Sequence, residues 1–182
     1  MQVILFSGKA RSGKDTTADI LKDLMEQDNK KVLIAHYADL LKYICGTFFG
    51  WNGIKNEEGR NLLQRVGTDV IRKVNPDFWV NFLSDILLMF PDEWDYVLIP
   101  DCRFPNEIQN MKHSLSNVNI FTIRITRLDY ESELTKEQQE HISETALDNY
   151  QFDYYLDAKT GYGNLKPKIE KMYDYIKYKE LR

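Results

Sequence analysis

Residues 2–17 read QVILFSGKARSGKDTT, and this stretch decides the fold. QVILFS (2–7) is a short apolar run of the buried-strand type. It leads directly into Gly8-Lys9-Ala10-Arg11-Ser12-Gly13-Lys14, which has the spacing G-x-x-x-x-G-K. Behind the loop, Ala18, Leu21, Leu24 and Met25 recur at helical spacing and predict a helix over about 14–27. A glycine-rich turn between a strand and a helix lets the backbone wrap a polyphosphate. Successive N–H groups point inward, and the helix N-terminus adds a positive dipole end. Lys14 then reaches the β- and γ-phosphates, with Gly8, Ala10, Arg11, Ser12, Gly13, Asp15 and Thr16 around them. The alternative is a plain glycine turn with a solvated lysine.

Asp15 stands where such loops normally carry a Ser or Thr hydroxyl for Mg²⁺. A carboxylate there binds the metal directly or through water, because hard cations favour oxygen. It also reads as a first-turn acid stabilised by the helix dipole. Thr16 offers a hydroxyl one place later, rotated by about 100°.

Outward from the loop, strands alternate with helices. KVLIAHY (31–37), YVLIP (96–100), VNIFTIRI (118–125) and FDYYL (152–156) read as strands. Helices are expected near 77–89 and 105–115, the latter with Pro105 in its first turn. Leu165, Ile169, Met172 and Ile176 mark a terminal amphipathic helix. The alternation implies an α/β fold with a parallel sheet and right-handed crossovers. Two segments depart from it, the helical stretch of about 38–92 and the polar stretch of about 127–146. Both read as insertions at the ligand end of the sheet.

The chain has 182 residues, 43% hydrophobic and 29% charged, which suits one domain with a real core. Its 24 basic and 28 acidic side chains leave a net charge of −4, which argues against a partner that is a nucleic-acid polymer. No apolar run approaches the roughly 20 residues of a membrane helix. The N-terminus lacks the charged region and cleavage site of a signal peptide. Cys45 and Cys102 then read as reduced thiols, and the expected location is the cytoplasm. Cys45, Cys102 and His141 are too isolated for a zinc pattern.

Four phrases carry a family resemblance: GKARSGKDTTAD (8–19), RNLLQRVGTDVIRKVNPDFWV (60–80), IPDCRFPNE (99–107) and HISETAL (141–147). Together, and in this order, they resemble the phage-type deoxynucleoside monophosphate kinases. That family carries R-x-L-x-Q-x-x-G-T-D followed by W-V, then P-D-x-R with a later Glu, then H-x-[ST]-E. The resemblance spans nearly the whole chain. It implies the three-layer P-loop kinase fold, a five-stranded parallel core with a monophosphate-binding insertion (38–92) and a lid (127–146). It also implies ATP as phosphoryl donor, Mg²⁺, and a deoxynucleoside monophosphate as acceptor. Monomer and homodimer both stay open. Animal-type phosphomevalonate kinases share S-G-K-D and a phrase like SETALDN (143–149), but lack Q-x-x-G-T-D. Gln64, Gly67, Thr68 and Asp69 therefore favour the nucleotide kinase. A non-catalytic nucleotide-binding switch is the remaining alternative.

Phosphoryl transfer aligns two anionic substrates and neutralises their charge, so the cations must converge. The candidates are Arg11, Lys14, Arg103 after the third strand, and Arg127 at the start of the lid. The planar fork of Arg matches phosphate. Asp101 reads as a metal-shell or substrate-orienting group, or as a helix cap. Arg124, three residues before Arg127, falls on the opposite strand face and is equally readable as structural. The resemblance places Lys42 and Arg60 on the acceptor phosphate and Glu107, Ser143 and Glu144 near the acceptor. Gln64, Thr68 and Trp79 suit a nucleoside pocket as amide, hydroxyl and stacking ring, with a plain core role the rival for Trp79.

Overall fold

In the computed structural model, which describes residues 1–180, the first strand β1 (Gln2–Ser7) lies at the centre of the sheet. The other strands are β2 (Val32–Ile34), β3 (Tyr96–Ile99), β4 (Asn119–Arg127) and β5 (Tyr154–Ala158). Their order is β2-β3-β1-β4-β5, and every neighbouring pair is parallel. β1 is buried along its whole length because helices cover both faces.

Side-chain alternation sorts the core into two halves. Ile4 and Phe6 pack with Phe121, Ile123 and Leu156 against helices α1 (Lys14–Gln27) and α8 (Tyr162–Glu180). Val3 and Leu5 pack on the opposite face against α4 (Phe78–Met89) and α5 (Pro105–Ser114). Leu165, Ile169, Met172 and Ile176 are all buried, so the terminal amphipathic stripe forms as expected. Each such burial contributes roughly 2 kcal/mol.

The helical stretch between β2 and β3 contains α2 (Ala38–Phe49), α3 (Glu57–Gln64), a π-helical segment (Arg65–Arg72) and α4. The polar stretch after β4 contains two short helices, α6 (Lys136–Glu140) and α7 (Ile142–Thr145).

Several strand boundaries differ from the sequence reading by one to three residues, and two of the shifts have a visible cause. β2 stops at Ile34 rather than residue 37. Beyond it the His36 N–H donates to Asp39 Oδ2 (3.1 Å), and the Tyr37 and Ala38 N–H groups donate to the Asp101 carboxylate (3.0 and 2.9 Å). Side chains thus take the donors that a longer ladder would use. β5 begins at Tyr154 rather than 152. Asp153 instead accepts from the Thr122 amide (2.9 Å) and hydroxyl (2.6 Å), which anchors the strand start to β4.

β1 pairs with β3 on one side and β4 on the other, so the chain reverses its direction of winding there. Ligands of open α/β sheets bind at the carboxyl ends of strands at such a point. The loop 8–13, Asp101 to Arg103 after β3, and Arg124 and Arg127 on β4 all gather at that end.

Candidate active site

The loop 8–13 is held open by its backbone. Gly13, the residue before α1, has φ +95°, a left-handed conformation that glycine adopts at little cost. Arg11 adopts φ +57°, uncommon for a residue with a side chain, and its carbonyl accepts from Arg127 Nη1 at 3.2 Å. A Cβ at Gly8 would lie 2.5 Å from both the Ile125 carbonyl oxygen and Ser12 Oγ, so only glycine fits between β4 and the loop. Lys14 is 5% exposed, and its ammonium donates to the Gly8 and Lys9 carbonyls, each at 2.8 Å. Burial and the nearby Arg103 charge lower its pKa to about 7, against the pull of Glu144, Asp15 and Asp101.

Arg103 is fixed at both ends. Its backbone N–H donates to Glu107 Oε2 (2.6 Å), which also accepts from the Phe104 N–H (3.0 Å). Its guanidinium forms an ion pair with Glu144 and donates to the Ser143 carbonyl (3.3 Å). Glu144 in turn accepts from the Ala10 N–H through Oε2 (2.9 Å). Glu107 is fully buried, and burial pushes its carboxyl up while Arg72 and the two amides pull it down. It lies beneath Arg103, and its two oxygens accept from the Arg72 guanidinium and from the Arg103 and Phe104 amides.

Asp101 caps α2, because its two oxygens accept the Tyr37 and Ala38 amides. Burial raises its pKa, opposed chiefly by His36 and those amides. Of the two carboxylates singled out for a metal, Asp15 is the open one. Its side chain is 75% exposed, and its Oδ1 is hydrogen-bonded to His36 Nε2 at 3.2 Å. That hydrogen bond lowers the Asp15 pKa and raises that of His36. Among the described residues no group of three or more His, Cys, Asp or Glu side chains could hold a metal alone. The donor set fits Mg²⁺ carried in on a nucleotide, which takes one or two carboxylates and keeps phosphates and water.

One cleft of about 490 Å³ joins these groups. On the loop side it is lined by Ala10, Arg11, Lys14 and Asp15. Asp101, Arg103 and Glu107 line its floor, and Ser143 and Glu144 close it. The helical wall supplies Lys42, Arg60, Gln64, Gly67, Thr68 and Trp79. Lys42 pairs with Asp39 at 2.7 Å, and Arg60 donates through Nε to the Lys55 carbonyl at 3.0 Å. Trp79 is 4% exposed and donates its indole N–H to the Gly67 carbonyl (3.1 Å), bracing the π-helical segment. Ser143 Oγ lies 2.8 Å from His141 Nδ1.

A second cavity of about 340 Å³ lies between the loop, β4 and the segment after it. Ser12, Arg124, Arg127 and Tyr130 line it, and Arg127 sits 5.0 Å over the Tyr130 ring. Arg124 bonds Ser7 Oγ (3.0 Å) and Asp148 (2.8 Å). Gly8, Gly13 and Thr16 line neither cavity, the glycines acting through backbone shape.

Three basic cleft residues escape the sequence reading: His36, Lys55 and Arg72. His36 follows a strand end, a position the sheet rule itself flags. Lys55 sits in a loop and Arg72 in a helical stretch, and neither belongs to a readable spacing.

The deoxynucleotide monophosphate kinase family model matches residues 46–169. No curated protein matched the chain. Among solved structures the chain is similar to the Mycobacterium tuberculosis APS kinase CysC in complex with AMPPNP and APS. There the TM-score is 0.58 at 10% identity, over 97% of each chain. It is also similar to shikimate kinase from Bacteroides thetaiotaomicron, with a TM-score of 0.50 at 12% identity, over 97% of this chain and 98% of that one. At such identities the likeness is one of fold, and the fold is that of the P-loop kinases. With the family model covering more than half of it, the chain belongs to the deoxynucleotide monophosphate kinase family.

Proposed function

We propose that the protein transfers the γ-phosphoryl group of ATP to a deoxynucleoside monophosphate, giving a diphosphate and ADP. The observation that carries this reading is the single cleft running from the buried ammonium of Lys14 to the helical wall bearing Lys42, Arg60, Gln64 and Thr68. It offers cationic groups for two phosphorylated ligands within one enclosure.

In this reading the segment 38–92 binds the monophosphate and 127–146 acts as the lid. Lys14 and the loop amides hold the donor phosphates, and Arg127 approaches them from β4. Arg103 and Arg11 neutralise charge on the transferred group, while Lys42 and Arg60 hold the acceptor phosphate. An acceptor phosphate oxygen forms the new bond to the γ-phosphorus as the bond to the ADP oxygen breaks in line. The acceptor is already anionic, so no base is required. Mg²⁺ carried on the nucleotide would supply further charge neutralisation, and Asp15 and Asp101 are the carboxylates that would hold it. Among the described residues neither Gln64 nor Thr68 has a side-chain hydrogen-bond partner, and both line the wall where a base would lie. Ser143 and Glu144 close the cleft against water.

The test is ADP release from Mg·ATP with dGMP, dTMP, dCMP, dAMP, the ribose counterparts and phosphomevalonate as acceptors. Stimulation by one or more deoxynucleotides is expected. Stimulation by phosphomevalonate alone moves the activity to a different acceptor class. ATP binding without stimulation by any acceptor overturns the reading in favour of a switch.

A further inference from the structure

Arg72 ends the π-helical segment, four residues beyond Thr68. Its side chain is 11% exposed, and its Nη2 donates to Glu107 Oε1 at 2.6 Å. Nη1 donates to the Pro76 carbonyl (3.0 Å) and reaches Asn106 Oδ1 (3.4 Å). The guanidinium carbon lies 3.9 Å from the centroid of the Phe104 ring. The other oxygen of Glu107 holds the Arg103 and Phe104 amides. One buried carboxylate therefore joins the helical wall of the cleft to the backbone that carries Arg103.

We propose that Arg72 is a positioning residue for phosphoryl transfer, acting through Glu107 on Arg103. The inference rests on the transfer reading above and adds to it a residue that no motif marks. Its physical basis is charge. A buried carboxylate stays ionised only with a partner, and an ionised acceptor holds amide donors about twice as strongly as a neutral one. Without Arg72, burial drives Glu107 toward its protonated form, and its grip on the Arg103 amide weakens. Phe104, pressed under the guanidinium, loses that ring contact at the same time. The wall that would receive the acceptor and the arginine that would meet the transferred group are thus set relative to each other by one side chain.

Two measurements on Arg72→Met, with Arg72→Lys as the charge-keeping control, test this. Methionine removes the charge that keeps Glu107 ionised, whereas lysine keeps a positive charge but loses the planar fork and the stacking face, so its effects are expected to be smaller. Amide hydrogen exchange by NMR is expected to speed up at Arg103 and Phe104 by about tenfold, with β1 and β3 core amides unchanged. Acceptor-dependent kcat is expected to fall by about tenfold, while KM for ATP stays within about twofold. Wild-type exchange at both amides, or wild-type kcat, in Arg72→Met overturns the proposal. Should Arg72→Met not fold, the paired variant Arg72→Met/Glu107→Gln removes the buried charges together. It is expected to fold and still turn over slowly, and a folded pair with wild-type kcat also overturns the proposal. Failure of the wild-type protein to phosphorylate any deoxynucleotide sinks the transfer reading instead. The exchange measurement does not depend on activity and keeps the two failures distinct.

Discussion

The Ala10 amide donates to the Glu144 carboxylate at 2.9 Å, across 134 residues of chain. The same carboxylate pairs with Arg103, so the phosphate loop, the end of β3 and the segment after β4 meet on one side chain. Glu144 is nearly buried, and cutting it back leaves a guanidinium and an amide without their partner. Glu144→Ala is expected to destabilise the fold by about 2 kcal/mol, read from urea unfolding. It should also reduce acceptor-dependent turnover. Stability and turnover both at wild-type values would show that the contact does neither.

Lys14→Met separates chemistry from folding. The ammonium is buried on two carbonyls, so its desolvation opposes folding while its charge serves the phosphates. The variant is expected to fold at least as stably as the wild type by thermal melting and to lose at least about a hundredfold in turnover. Near-normal turnover in the folded variant would remove Lys14 from the catalytic set. Arg103→Ala is expected to lose activity similarly.

Lys14 also links nucleotide binding to protons. Its folded pKa of about 7 lies below the ordinary 10.5, so the folded state binds fewer protons between those values. Its contribution to stability therefore rises as pH increases from about 7 to 10.5 and is least favourable below 7. A bound polyphosphate raises the pKa again. ATP binding at pH 8 is expected to take up protons, read as a calorimetric heat that varies with buffer ionisation enthalpy. Lys14→Met should show none of that uptake from this group.

Trp79→Phe tests what the indole does. Phenylalanine retains a ring for stacking but loses the N–H that meets the Gly67 carbonyl. A loss of about 1 kcal/mol in stability is expected, with a raised KM for the acceptor. An unchanged stability would mean that the bond to Gly67 does not brace the π-helical segment.

Much of this architecture is legible without coordinates, for local reasons. QVILFS, the glycine loop and the helix behind it form as read because strand burial, turn chemistry and helical periodicity agree along one short stretch. Arg103 and Lys14 are findable because a sheet directs the residues after its strands to one end. Asp101 shows the limit. Its position after β3 is readable, but its use as a cap for α2 depends on amides 63 and 64 residues away. Arg72 is hidden for the same reason, because its meaning lies in Glu107, 35 residues further on. The ends of β2 and β5 slipped by two or three residues because side-chain acceptors, rather than apolar content, stop the ladders.

The segments 127–146 and 38–92 also touch each other directly. Gln138 Nε2 donates to Asn61 Oδ1 at 2.8 Å, and His141 Nε2 lies 3.6 Å from Asp69 Oδ1. If the cleft admits two ligands, parting these contacts is a common toll, borne by whichever arrives first. The second arrives with the separation already made, and its apparent affinity is higher by that amount. Reciprocity then requires the same factor in either order of addition. Two polar contacts between the segments would then couple the two ligands, although neither contact need touch one.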